Sequence, residues 1–173
     1  LGVALFTVLP VIFPWNLPVK VRDEVQTVYD EVDKAGQTGK PVLLSFDFDP
    51  GTMAELGPMA EAVMRHIFAT NAKVIVLTFM PTGQGLAEET LFKIANERGA
   101  VYGEDYVFLG YKFPPASMML SIGEDIRINY PVDYANTPID QLPMMKKVKN
   151  YKDIQIVVDL AGNSMPESWI AYA

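Results

Sequence analysis

Polar residues that could bind a ligand follow three strongly apolar segments of this 173-residue sequence. They form three groups: Asp47 and Asp49; Thr78, Thr82, Gly83 and Gly85; and Asp159, Asn163 and Ser164. Long apolar runs of this kind are typical of parallel strands that are buried on both faces. Because ligands bind beyond the carboxyl ends of such strands, we expect the three groups to converge at one edge of a sheet.

The first group, in Ser-Phe-Asp-Phe-Asp-Pro-Gly-Thr, resembles the Asp-x-Asp-Gly-Thr motif of haloacid-dehalogenase-like phosphatases. The resemblance implies that one of Asp47 and Asp49 is the nucleophile and the other the acid/base, with Mg²⁺ as the cofactor. It places Thr78 after the next strand, and Asp159 and Asn163 at an acidic metal-binding loop. The sequence departs from the motif at Pro50, which is inserted before Gly-Thr, and it lacks the final Asp-Asp pair.

The alternative interpretation is that Asp47 and Asp49 shape a turn and cap the helix that begins near Thr52. Pro50 favours this interpretation, since proline fixes its own φ and biases Asp49 towards an extended conformation. In the same way, Thr82-Gly83-Gln84-Gly85 could hold an anion on its backbone N–H groups, but a plain capping turn is favoured. Outside the phosphatase hypothesis we predict no cofactor.

Composition excludes several kinds of chemistry. The chain has no cysteine, which removes thiolate metal sites and cysteine nucleophiles. Its only histidine, His66, stands on a predicted helix beside apolar residues, and we interpret it as structural. The net charge of −7 and the absence of a long basic run argue against nucleic-acid binding.

Apolar periodicity predicts how these residues are positioned. Helices are expected over residues 22–35, 52–70, 83–98 and from 166 onwards, and strands over residues 41–48, 73–80, 106–109 and 154–160. Residues 116–122 fit either type, and 124–129 and 139–147 favour short helices. This alternation predicts an α/β fold, a three-layer, doubly wound, mostly parallel sheet with helices on both faces, over residues 20–173.

Residues 1–19 carry no charge and form a separate segment. We interpret them as the end of a membrane anchor, a transmembrane segment that leaves the bilayer near Trp15, although Pro10, Pro14 and Pro18 interrupt the run. The alternative is a buried first strand followed by a proline-rich arm. The protein is therefore expected to be associated with a membrane, with the extracytoplasmic side slightly favoured. Because the chain begins with Leu1, it could also be a piece of a longer protein.

A broader resemblance rests on Leu-Leu-Ser-Phe-Asp-Phe-Asp-Pro-Gly, Tyr-Gly-Glu-Asp-Tyr-Val-Phe-Leu-Gly-Tyr-Lys and Val-Val-Asp-Leu-Ala-Gly. These segments are similar to a family of uncharacterised prokaryotic proteins, and the resemblance implies a membrane anchor, one α/β domain and a pattern that continues past Ala173. The leading hypothesis is a non-catalytic domain that binds a small ligand or a protein partner, or associates with itself. An aromatic group could form a contact surface or pack in the core: Tyr102, Tyr106, Phe108, Tyr111 and Phe113.

Overall fold

The computed structural model describes residues 20–173 and, before them, only Leu9 and Ile12. Four strands form one sheet: β1 (Val42–Asp47), β2 (Val74–Thr78), β3 (Tyr106–Tyr111) and β4 (Ile156–Ala161). Five helices surround it: α1 (Asp23–Thr38), α2 (Met53–Ala69), α3 (Gln84–Arg98), α4 (Pro115–Glu124) and α5 (Met165–Tyr172). The strands are all parallel and their order is β3-β2-β1-β4.

Side-chain alternation along the strands divides the core into two layers. Leu44 and Val76 pack on one face of the sheet against α1, α2 and α3. Leu43 and Leu77 pack on the other face against α4, α5 and a series of short 3₁₀ turns. The predicted three-layer α/β fold with a doubly wound parallel sheet is therefore confirmed.

The strand order creates a switch point between β1 and β4. The chain progresses from β1 through β2 to β3 in one direction, and β4 then pairs with the free side of β1. In this pairing Ser45 lies opposite Asp159, and Asp47 lies opposite Ala161. The carboxyl ends of strands on either side of a switch point are where open α/β sheets bind ligands.

The region between β3 and β4 differs most from the predicted elements. The ambiguous residues 116–122 lie in helix α4. The helix predicted over 139–147 is instead two 3₁₀ turns, Ile139–Gln141 and Pro143–Lys147, because Pro143 cannot donate a backbone hydrogen bond inside a helix. The short helix predicted over 124–129 is a 3₁₀ turn, Ile126–Ile128.

The predicted aromatic group belongs mostly to the core. Tyr106 and Phe108 are buried on the face that packs against α3. The hydroxyl of the half-buried Tyr102 donates to Asp133, at 2.6 Å. Phe113 is 71% exposed, so the group does not form one continuous exposed surface.

The transmembrane assignment is wrong for the described part of the chain, where no helix is long and apolar enough to cross a bilayer. The predicted anchor, residues 1–19, lies outside the described residues apart from Leu9 and Ile12. In the sequence, Pro10, Pro14 and Pro18 divide this segment into pieces much shorter than the roughly 20 residues that a spanning helix needs.

Candidate functional site

The side chain of Asp49 stabilises the turn that follows β1. Its Oδ1 accepts hydrogen bonds from the backbone N–H of Gly51 at 2.8 Å and of Thr52 at 3.2 Å. The Asp49 carbonyl also accepts from the Thr52 hydroxyl, at 3.2 Å. Asp49 thus shapes the turn before α2, as the alternative interpretation of the motif predicts. It does not cap the helix itself, whose N-cap residue is Thr52 and has no side-chain capping bond.

Asp47, the last residue of β1, points to the α4–α5 face of the sheet and is fully buried. Its Oδ2 accepts a hydrogen bond from the Ser45 hydroxyl at 2.5 Å, and its Oδ1 accepts one from the Phe79 amide at 2.7 Å. Ser45 is on the same face because it is two residues before Asp47 in a strand. Asp47 is therefore held inside the protein and does not lie at an exposed edge of the sheet.

Asp159 of β4 is the neighbour of Asp47 on this face, and the two form what we call the carboxyl pair. Both carboxyl oxygens of Asp159 are out of contact with solvent, and Asp159 can hydrogen-bond to Asp47 when one of the two carboxyl groups carries a proton. Trp169 Nε1 is also buried, beside Asp47, and hydrogen bonding from its N–H partly offsets the rise in the pKa of Asp47 that burial causes. The buried Tyr130 hydroxyl has no hydrogen-bond partner and interacts with the charge of Asp47. Two acids, an indole and a phenol thus meet in one buried cluster.

Burial sets the protonation of the carboxyl pair. It raises the pKa of Asp47, although the hydrogen bonds from Ser45 and from the Phe79 amide partly offset the effect. Burial first, and then the adjacent charge of Asp47, raises the pKa of Asp159 to about 8. Two ionised carboxylates cannot hydrogen-bond to each other, so we expect the pair to keep one proton at neutral pH. Burial, assisted by Asp47, also raises the pKa of Tyr130.

The remaining predicted site residues are used in the fold or lie apart from the carboxyl pair. The Thr78 hydroxyl donates to the Phe46 carbonyl at 2.6 Å. Asn163 donates from Nδ2 to the Asp47 carbonyl at 3.0 Å, and its Oδ1 accepts from the Met165 amide at the start of α5. Thr82 and Gly85 are exposed on the 3₁₀ turn Pro81–Gly83 and the first turn of α3.

Two glycines close the crevice beyond the strand ends. A Cβ on Gly83 would lie 2.8 Å from the carbonyl oxygen of Phe48, and one on Gly162 would lie 3.0 Å from the Thr52 side chain. The backbone contact excludes a side chain at Gly83, whereas at Gly162 the Thr52 side chain would have to move. The loops after the strands therefore pack closely against one another. Gly83 serves this packing, and its backbone N–H donates to the Met80 carbonyl at 3.0 Å.

Helix α5 covers the carboxyl pair. Trp169 is its one buried residue, and the indole packs on Phe79 with ring centroids 5.6 Å apart. Met165 packs partly against the same core, whereas Ile170 is 86% exposed. A short helix with few apolar contacts can leave its position at lower cost than a helix with a full apolar face. Helix α5 is thus the element through which a ligand could reach the pair.

The donor set indicates which ligands suit the site. Among the described residues no group of three or more His, Cys, Asp or Glu side chains could hold a metal ion. No ion pair in this part of the chain involves Asp47 or Asp159. A buried negative charge without a basic partner is costly, so the pair either keeps a proton or suits a ligand with a positive charge.

Three residues of this site were not among the predicted ones: Ser45, Tyr130 and Trp169. Ser45 had a detectable signal, since it is the only polar residue inside an apolar strand and is two residues from Asp47. Tyr130 and Trp169 had none, because they come from a loop and from the last helix, and only the fold brings them to β1.

No family model, curated protein or solved structure matches this chain. The resemblances to the haloacid-dehalogenase-like phosphatases and to the prokaryotic α/β proteins therefore stay predictions from the sequence. The described domain is defined by its architecture, a four-stranded parallel α/β sheet with a buried carboxyl pair at the switch point.

Proposed function

We propose that this protein is a non-catalytic binding domain that takes up a small cationic ligand, such as a protonated amine, at the Asp47–Asp159 pair. The observation that supports the proposal is the buried carboxyl pair at the switch point, which has no basic partner among the described residues and lies near the unpartnered Tyr130 hydroxyl. Two adjacent buried carboxyl groups without a basic partner must either keep a proton or take up a cation, and a cation can replace that proton. A small amine would donate to the carboxyl oxygens and would neutralise the charge of the pair.

A phosphohydrolase is less well supported by this geometry. A nucleophilic carboxylate must reach a phosphorus atom, but both oxygens of Asp47 accept hydrogen bonds inside the core. The second aspartate of the motif, Asp49, bonds to the turn. Binding of a protein partner, self-association and association with a membrane remain predictions from the sequence.

The test is thermal unfolding of the full chain in ammonium, methylammonium, potassium and magnesium chlorides at equal ionic strength. We expect ammonium or methylammonium to raise the Tm, because a ligand that binds only the folded state stabilises it by about 2.7 kcal/mol at 100 times its Kd. Asp159→Asn should abolish the increase. The exposed Asp30→Asn, with the same change of charge, should keep it.

Two results would overturn the proposal. One is an equal response of wild type and Asp159→Asn to every cation, which would mean that the pair holds only water. The other is hydrolysis of phosphate monoesters in the presence of Mg²⁺ that disappears in Asp47→Asn. This variant should fold, because the Ser45 hydroxyl can turn to accept from the new amide while the other side-chain position keeps an oxygen for Phe79.

A further inference from the structure

A cleft lies at the opposite edge of the sheet, where the strands begin. It has a volume of about 510 Å³. Residues immediately before β1, β2 and β3 form one side of it, and the 3₁₀ turn Pro143–Lys147 forms another. Ligand-binding clefts usually have volumes of about 300–1,000 Å³, so this one is large enough for a small organic molecule. We call it the lysine cleft.

Three lysines line it, Lys40, Lys73 and Lys147. The Lys40 ammonium donates to the Lys152 carbonyl at 2.8 Å, and the Lys73 ammonium donates to the Glu104 carbonyl at 2.6 Å. No ion pair among the described residues includes any of the three lysines. Because an ammonium has three N–H donors, Lys40 and Lys73 each retain two for a ligand.

The acidic residues of the cleft offset part of this charge. Glu104 and Asp153 are the two carboxylates in the lining, so three lysines against two carboxylates leave a formal charge of +1. The Asp153 carboxylate accepts from the backbone N–H groups of Lys149 and Asn150, which fixes its position. In a protein with a net charge of −7, this local positive charge favours an anion.

Apolar side chains complete the lining. Met144 and Val148 are buried beneath it, and Pro41 and Pro143 lie at its sides. An apolar surface next to positive charges suits a ligand with an anionic group on an apolar body. We propose that the lysine cleft is a second binding site, for a small phosphate monoester whose phosphate contacts the lysines and whose organic part lies on Met144 and Val148.

The experiment is calorimetric titration of the full chain with phenyl phosphate and with inorganic phosphate. We expect phenyl phosphate to bind more tightly, and its affinity to fall as salt is added. Lys147→Gln should weaken binding about tenfold, the effect of losing one charge-assisted contact. The control is Lys146→Gln, which changes the adjacent exposed lysine outside the lining and should leave the affinity unchanged.

Three outcomes would overturn this proposal. They are an absence of binding to the wild type, an equal loss in Lys146→Gln and Lys147→Gln, and no loss in Lys147→Gln. The second would mean that a diffuse surface charge attracts the anion, and the third would place the binding elsewhere. Asp159→Asn should bind phenyl phosphate normally, because the carboxyl pair lies at the other edge of the sheet. The two proposals can therefore fail independently.

Discussion

At the scale of single residues, Asp47 and Asp49 show how one short motif can separate into two roles. They are two positions apart, yet Asp47 is buried at the end of β1 while Asp49 stabilises the turn before α2. The partner of Asp47 is Asp159, more than a hundred residues away, because β4 pairs with β1. The charge and protonation of this site therefore depend on the Asp47–Asp159 pair and not on the Asp-x-Asp spacing.

The carboxyl pair predicts a dependence of stability on pH. The pKa of Asp159 is about 8 in the folded state, against roughly 3.9 for an unfolded aspartate. Between these values the folded state binds more protons than the unfolded state, so stability falls as the pH rises from about 4 to about 8. Urea unfolding at pH 5 and pH 8 should show this decline in the wild type.

Asp159→Asn should reduce that decline, because it removes the group that must ionise inside the protein. Asp30→Asn is the matched control on an exposed part of α1, and it should retain the decline of the wild type. If Asp159→Asn loses stability with pH as steeply as the wild type, the carboxyl pair does not keep its proton and the account of its protonation is wrong.

Asp49→Ala tests the role of Asp49 in the turn. It removes the acceptor for the Gly51 and Thr52 amides, and the expected cost is about 1 kcal/mol of unfolding free energy, as for the loss of a hydrogen bond inside the protein. Chemical denaturation measures this cost. The cation response proposed for the carboxyl pair should be unchanged in this variant, and its loss would mean that Asp49 contributes to the site.

At the scale of elements, α5 has one buried side chain, with Met165 packed partly beside it. Trp169 is buried against Phe79, whereas Ile170 and Tyr172 on the same helix are exposed. We expect Trp169→Ala to reduce the free energy of unfolding by about 3 kcal/mol, at the lower end of values for large aromatic residues. Hydrogen exchange of the α5 amides should accelerate more than that of the β1 amides. Equal protection in both elements would show that α5 is not a separable cover.

The strands differ in burial although their sequences are similarly apolar. Leu44 in the central strand β1 is fully buried, whereas Val157 in the edge strand β4 is only half-buried. Sequence alone predicts that both are core residues. Leu44→Ala should cost about 2–5 kcal/mol in a urea titration, and Val157→Ala should cost clearly less. Equal costs would contradict the position of β4 at the edge of the sheet.

At the scale of the whole molecule, residues 20–173 contain every strand of the sheet and both layers of the core. We expect a chain that begins at Lys20 to fold without residues 1–19. It should unfold in urea in one cooperative transition with the m value of the full chain, since m reflects the surface exposed on unfolding. A broad transition or a lower m value would mean that the first residues belong to the core, as the alternative interpretation of that segment predicts.

The whole molecule also separates its two candidate sites. The carboxyl pair lies where the strands end, and the lysine cleft lies where they begin. Opposite charges at the two edges favour ligands of opposite sign, because each edge attracts the ion that neutralises it. One small sheet could therefore hold a cation and an anion without competition between them.

The sequence by itself determined the α/β class and the type of most elements. Apolar runs such as Val-Leu-Leu-Ser-Phe and Val-Ile-Val-Leu-Thr are local signals, and local periodicity is sufficient to assign a strand or a helix. It also singled out Asp47 and Asp159 as polar residues at strand ends, and it showed that Pro50 favours a role for Asp49 in the turn. The 3₁₀ turns between β3 and β4 were harder to predict from the sequence, because short stretches that contain proline show little apolar periodicity.

Only the tertiary structure decided which residues meet. The order β3-β2-β1-β4 sets Asp159 beside Asp47, and the packing of a distant loop and the last helix brings Tyr130 and Trp169 to them. The same packing brings the loops that contain Gly83 and Gly162 against their neighbours at the carboxyl ends of the strands. It also forms the lysine cleft at the other edge of the sheet. No local pattern encodes these contacts, because they depend on strand pairing and on burial between segments that are far apart in the chain.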